Sequence, residues 1–241
     1  MNTEDIISEI VSDISSTTND ISLLSVIKKH TSNCGADNFF FGTTLFQNLR
    51  SSPDLCVLTD YPDEWQQRYH DKNYFDKDIT VIHCRQKSTP IIWPTKNKTI
   101  SNTNKKIFSE SAEFGINSGV SLPFHANNEE HGALATSTPL SYLKSRLTSS
   151  KNLFSLQVLG STLFDYHRSK IKKNNFIKLT EREKECLKWV AAGKTSWEIS
   201  KIIGVSERTV TFHIQNSSTK MNTQSRTNAA VIAILNNQIK L

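Results

Sequence analysis

The last quarter of this chain carries its own helix boundaries. In Leu179-Thr-Glu-Arg-Glu183, a Thr-x-x-Glu pair can satisfy the free N–H groups of a helix start reciprocally, so a helix begins at Thr180, and Gly193 supplies the left-handed residue that ends it. A second pair, Thr195 and Glu198, opens another helix at once, with Ile199, Ile202 and Ile203 at helical spacing on one face. Gly204-Val205-Ser206 then turns the chain, and Ser206 caps a third helix in which Val210, Ile214 and Met221 form an inward stripe. A fourth helix follows. Short capped helices joined through a glycine turn to a polar-faced helix are the layout of a helix-turn-helix, and also that of a small structural bundle. The outward residues weigh on the choice: Arg208, Thr211, Gln215 and Thr219 have side chains of the lengths that reach base edges and phosphates in a major groove.

Charge favours the nucleic-acid reading. Residues 178–241 hold ten Lys and Arg against five Glu, whereas 1–171 hold seventeen basic and eighteen acidic residues, and Lys172 and Lys173 lie between. Basicity concentrated beside the helix-turn-helix is what phosphate binding needs, so double-stranded DNA is the expected partner.

A chain of 241 residues with 37% hydrophobic content can build one larger and one smaller core. The polar run Lys170-Ile-Lys-Lys-Asn-Asn175 reads as a linker. The expected organisation is an α/β domain over 1–171, a linker over 172–177 and an all-α four-helix domain over 178–241. No apolar run approaches the roughly 18 residues of a membrane span, and Glu4 and Asp5 do not fit a signal peptide. A cytoplasmic protein with no membrane partner is expected. Cys34, Cys56, Cys84 and Cys186 lack C-x-x-C or Cys/His ligand spacing, which predicts free thiols and no metal.

Within the larger domain, Thr3 to Cys34 suggests helices with Ile6, Ile7, Ile10, Ile14, Leu23, Leu24 and Ile27 as core positions. Strands are expected at Asn38–Phe46, Leu55–Leu58, Val120–His125 and Ala133–Thr138, and helices from Pro62 to Lys72, Thr80 to Lys87, Asn104 to Phe114 and Thr148 to Lys170. Helices before, between and after strands predict an α/β/α sandwich around an antiparallel-type sheet, with room for a pocket between sheet and helices.

That pocket is best sought between Tyr61 and Trp93. Tyr61, Trp65 and Tyr69 are four apart and so share one helical face as aromatic walls with polar tips, and Asp78 adds an acceptor. Such a set suits an amphiphilic ligand with an amide donor. It also suits an ordinary aromatic core with a capping Asp, and the residues alone leave both open. An enzyme finds little support: Cys84 beside His83, or Asp76 with Asp78, form no nucleophile, base and orienting group at a recognisable spacing. A phosphate-accepting receiver domain is also unsupported, because Glu4 and Asp5 precede a helix-like stretch.

From about 178 to 235 the chain resembles the DNA-binding domain of LuxR-type quorum-sensing regulators. The likeness rests on the Leu-Thr-x-Arg-Glu opening, the Trp-x-x-x-Gly-Lys-Thr turn and the Ser-Glu-Arg-Thr-Val-x-Phe-His run, with hallmark positions at Glu183, Leu187 and Gly193. It implies that Thr211 and Gln215 face bases and that Lys194, Thr195, Arg208 and His213 lie near phosphates, with Ser206 and Thr209 on the same DNA-binding surface. The larger domain resembles the acyl-homoserine-lactone-binding domain of those regulators, whose Trp, Tyr, Asp, Trp and Gly fall on Trp65, Tyr69, Asp78, Trp93 and Gly119. By that resemblance Trp65 would donate to the lactone carbonyl, Tyr69 would bond the acyl carbonyl, Asp78 would accept the amide N–H and Trp93 would pack on the lactone ring. Tyr61 matches a further pocket tyrosine.

The resemblance implies a homodimeric, non-enzymatic transcription regulator that needs no cofactor beyond its signal, an N-acyl-homoserine lactone or similar small molecule, and that works with RNA polymerase. Three positions depart from it. Ile79 stands where a proline usually follows the aspartate, and Phe40 and Ala135 stand where pocket serines are usual. A regulator of the same architecture answering to a non-lactone ligand, or to none, is the alternative.

Overall fold

The computed structural model describes residues 3–45, 54–94, 100–126, 130–173, 178–236 and 238–240. The described residues fall into two compact units, one running to Lys170 and the other from Ile171.

The first unit comprises α1 (Thr3–Ser15), α2 (Asp20–Asn33), β1 (Asn38–Leu45), β2 (Asp54–Thr59), α3 (Asp63–Asp71), α4 (Ile79–Gln86), β3 (Ile91–Trp93), α5 (Asn102–Ala112), β4 (Ser118–His125) and β5 (His131–Thr138). A 3-10 turn at Leu140–Tyr142 leads into α6 (Ser150–Lys173). The strands form one antiparallel sheet in the order β2-β1-β5-β4-β3.

Alternation along β1 sets the two faces of this sheet. Phe39, Phe41 and Leu45 are buried on one side, and the register Phe41–Leu134–Leu122 continues that apolar face across β5 and β4. The α6 residues Leu156, Leu159, Leu163 and Phe164 are buried, with the Phe164 ring stacked on Phe124 at 6.3 Å and His167 Nδ1 3.1 Å from the Thr43 hydroxyl. The opposite face carries Phe40, Ala135 and Ser121 in register. On α1 and α2, Lys29 bridges Glu9 and Asp13, and His30 meets Asp13 at 2.9 Å.

Most expected elements are present, with informative differences. β3 is not among the expected strands, because three residues on a sheet edge are too short to show a period. The last helix starts at Ser150 and continues to Lys173, into the polar run expected to be linker. Phe46 and residues 174–177 lie outside the described residues. Ile7 and Phe154 are exposed, because each helix buries a single stripe and these residues fall on its flank.

The second unit holds α7 (Glu181–Ala191), α8 (Ser196–Ile203), α9 (Glu207–Lys220) and α10 (Arg226–Leu235). Both Thr-x-x-Glu capping boxes form, and Gly193 and Gly204 take positive φ values of 80° and 70°. Leu187, Ile199, Val210, Ile214, Ala229 and Ala233 make the core. Ile202, expected beside Ile199, points outward at 45% exposure. Glu183 is buried, accepting the Thr180 N–H and the Lys220 ammonium, both at 2.7 Å. Burial pushes its carboxyl up, but Lys220 and Thr180 outweigh that and hold it below the usual value.

Gly160 is where α6 meets the sheet: a Cβ there would stand 2.2 Å from the Phe124 ring. In an unconstrained helix Gly→Ala gains about 1 kcal/mol, whereas overpacking a filled core costs about 1–3 kcal/mol. Gly160→Ala is therefore expected to lower the unfolding midpoint in denaturant, and a variant as stable as the parent contradicts this packing.

Candidate functional site

The aromatic residues singled out in the sequence converge. Trp65 and Tyr69 lie on α3, Trp93 on β3, and Tyr74 and Phe114 in the adjoining loops; Trp65 contacts Tyr69, Tyr74 and Phe114 at ring-centroid distances of 5.6, 6.3 and 5.7 Å. Trp93 lies parallel to Phe108 of α5 at 6.3 Å and donates its indole N–H to the Ser121 hydroxyl at 2.9 Å. Gly119 makes this possible, since a Cβ there would meet the Thr136 carbonyl oxygen at 1.9 Å and the Trp93 ring at 2.4 Å. Tyr61 does not share the helical face of Trp65, because Pro62 caps α3 and Tyr61 precedes it. It joins the cluster from the loop, stacking on Phe40 at 6.3 Å. The Phe40 ring lies over Gly42, where a Cβ would approach within 2.8 Å. Ala135, paired with Phe40 and Ser121, contributes no hydroxyl.

Two ion pairs hold α3 to the segment that carries Phe108 and Phe114. Arg68 reaches Glu113 at 2.6 Å and lies over the Phe114 ring, while Lys72 reaches the mostly buried Glu110, which also accepts from the Tyr74 hydroxyl.

Asp78 is the polar centre. Its side chain caps α4, accepting the Thr80 N–H at 2.7 Å and the Thr80 hydroxyl at 2.8 Å on one oxygen. The other oxygen accepts from the Tyr69 hydroxyl at 3.0 Å. With 7% exposure, burial pushes its carboxyl above the usual value despite these bonds. A carboxylate raised in this way favours the folded state most at low pH, and that contribution is lost as pH rises through the folded value. Burial, then the Asp78 charge, drives the Tyr69 phenol far above its usual range; burial, then Asp60 and Asp78, does the same to Tyr61.

The backbone on both sides of Asp78 is fixed by a residue that sequence reasoning missed. The buried Asn104 side chain accepts the Ile79 N–H at 2.7 Å and donates to the Lys77 carbonyl at 3.1 Å. No local pattern points to it, for the pairing joins the start of α5 to a loop far away in sequence. Thr80 and Ser121 are likewise absent from the expected site, though Thr80 sits where a capping partner belongs.

In the second unit Arg208 and Gln215 are exposed, Thr211 and His213 are half-buried, and all four project from α9. Ser206 caps α9 and shares a 2.8 Å hydroxyl contact with Thr209. Thr195 caps α8, and Lys194 reaches Glu198 at 3.3 Å. Phe212, not singled out in the sequence, stands 57% exposed on the same helix.

Residues 20–166 match the family model of the autoinducer binding domain, and residues 178–233 match that of the bacterial regulatory proteins of the luxR family. The chain belongs to the LuxR family. The transcriptional activator protein LuxR of Aliivibrio fischeri is 36% identical over 83% of this chain and 82% of its own length, and AnoR of Acinetobacter nosocomialis is 33% identical over 90% and 92%. In fold, the chain resembles crystalline Escherichia coli SdiA with a TM-score of 0.76 at 21% identity, covering both chains fully. A structure of SdiA in complex with octanoyl-rac-glycerol gives 0.71 at 21% identity, covering 98% of this chain and 96% of that one. LuxR and AnoR are named transcriptional activators, of a non-enzymatic regulator family, and this chain likewise couples an autoinducer-binding domain to a DNA-binding one. Among the described residues no helix is long and apolar enough to cross a membrane.

The LuxR-type frame gives the departure at residue 79 a physical reason. Ile79 is the first residue of α4, where proline fits well, but proline has no N–H to offer Asn104. Ile79→Pro is expected to cost about 1–3 kcal/mol by stranding the buried Asn104 carbonyl oxygen. In an Asn104→Ala background the same change should cost much less. Equal costs in the two backgrounds, read from denaturant unfolding, contradict the coupling.

Proposed function

We propose that this regulator binds an N-acyl-homoserine lactone, or a similar amphiphilic amide, in its first unit and controls transcription as a cytoplasmic homodimer on a two-fold operator, together with RNA polymerase. The observation that carries the reading is the Asp78 carboxylate, nearly removed from water, unneutralised by any ion pair among the described residues and bordered by Tyr69 and the Trp65–Trp93 aromatic cluster. Such an acceptor suits a ligand N–H, and a charge-assisted bond away from water is strong. Tyr61 and Trp65 supply donors for ligand carbonyls, Tyr69 does so when its hydroxyl exchanges Asp78 for the ligand, Trp93 gives a flat wall for the head, and Phe40 and Ala135 border the acyl chain.

The site is closed, with Trp65 and Trp93 each 4% exposed, so the signal is enclosed as the side chains part or as the domain folds. Binding to the native state then raises its stability by mass action. The signal acts by favouring the arrangement in which two α9 helices meet successive major grooves about one DNA turn apart. On that surface Thr211 and Gln215 read bases, while Arg208, His213, Lys194, Thr195, Ser206 and Thr209 meet the backbone. The ion pair with Glu198 weakens the contribution of Lys194 relative to the exposed Arg208.

Base contacts carry discrimination and phosphate contacts carry salt dependence. With signal present, Gln215→Ala should cost about 1–3 kcal/mol on the cognate operator and relax preference at one base pair. Arg208→Ala should weaken binding to all sequences alike and flatten the salt slope by about one unit. Titrations on matched and scrambled DNA at several salt concentrations separate the two; equal loss on both DNAs for Gln215→Ala removes it from the base-reading role.

A further inference from the structure

Ser137 is fully buried on β5, yet its hydroxyl is the one buried side-chain polar atom among the described residues without a hydrogen-bond partner. Its neighbours show how unusual this is. Ser118 donates to the Thr138 carbonyl, Thr136 faces the Val120 carbonyl, and Ser121 accepts from Trp93. A buried hydroxyl with no partner costs the folded state, so a hydroxyl kept in that condition calls for a reason.

Register says where it points. Ser137 pairs with Asn38 on one side and Gly119 on the other, two residues beyond Ala135, which pairs with Phe40 and Ser121. Residues two apart on a strand share a face, so Ser137 looks to the same side as Ala135 and towards the end of the sheet where Trp93 lies across Gly119. The Tyr61 phenol lies close by and feels the Ser137 hydroxyl as a weak hydrogen-bonding group, but the two do not reach hydrogen-bond geometry.

Resting on the function proposed above, we propose that Ser137 is a specificity-determining contact of this regulator: its hydroxyl donates to a carbonyl oxygen on the polar head of the signal. The donor absent at Ala135 is thus supplied one pleat further along the strand, nearer the Trp93 wall. This position sets which oxygen of the head is recognised, and its cost is relieved only when the ligand is in place.

The test is isothermal titration of the full-length protein with N-octanoyl-homoserine lactone, alongside thermal melts without ligand, for wild type, Ser137→Ala and Asp78→Ala. Removing a hydroxyl with no partner leaves the ligand-free fold as stable as before or more so, while affinity falls about tenfold, the order of one buried hydrogen bond. That opposed pair of readings is one that a structural role would not produce. If Asp78→Ala loses affinity and Ser137→Ala does not, the proposal is overturned while the lactone reading stands; a hydroxyl merely satisfied by water gives this result. If Ser137→Ala loses ligand-free stability and affinity together, the residue is structural and the proposal fails. If wild type does not bind the lactone, the functional reading fails and takes this proposal with it.

Discussion

A carboxylate held away from water constrains everything around it. Asp78 can remain in its position only because Thr80 and Tyr69 donate to both of its oxygens, and because Asn104 grips the backbone before and after it. Those bonds fix the start of α4, the tip of Tyr69 and the first turn of α5 relative to one another. The ion pairs of Arg68 and Lys72 then hold α3 to the far end of the same structure. The aromatic cluster is therefore more than apolar filling: its polar tips are organised around one partly compensated charge, and a ligand N–H would complete that compensation.

What could be read in advance follows the range of the interactions. Capping boxes act over three residues, so the starts of α7 and α8 were visible in Thr180–Glu183 and Thr195–Glu198, and both form. Strand-favouring aromatic residues marked β1, where Phe39, Phe40 and Phe41 follow one another. Spacing alone misled at Tyr61, where a proline moved the helix start past it, and at Ile202, which lies at the outer edge of its stripe. Asn104 and Ser137 could not be recognised, because their meaning depends on partners that come near only through the sheet register and the packing of α5. Ser137 did share the period-two pattern with Ala135, but nothing local indicated that its hydroxyl would lack a partner.

The departures from the family pattern prove to be connected to their surroundings. Isoleucine in place of proline leaves an N–H that Asn104 uses, and Phe40 finds room over Gly42 while stacking on Tyr61. Substitutions of this kind keep the polar centre in position while altering the shape and donor pattern of the wall facing it. On the proposed function they would bear on which signal fits, while leaving intact the way in which a carboxylate is presented to it.

The account rests on Asp78 accepting a hydrogen bond from the signal, and a pair of ligands differing in one atom tests this most directly. Isothermal titration would compare N-octanoyl-homoserine lactone with its ester analogue, in which oxygen replaces the amide N–H. The expected result is at least about tenfold weaker binding of the ester to the wild-type protein, with the difference collapsing in Asp78→Ala. Equal affinity of the two ligands for the wild-type protein would contradict the account.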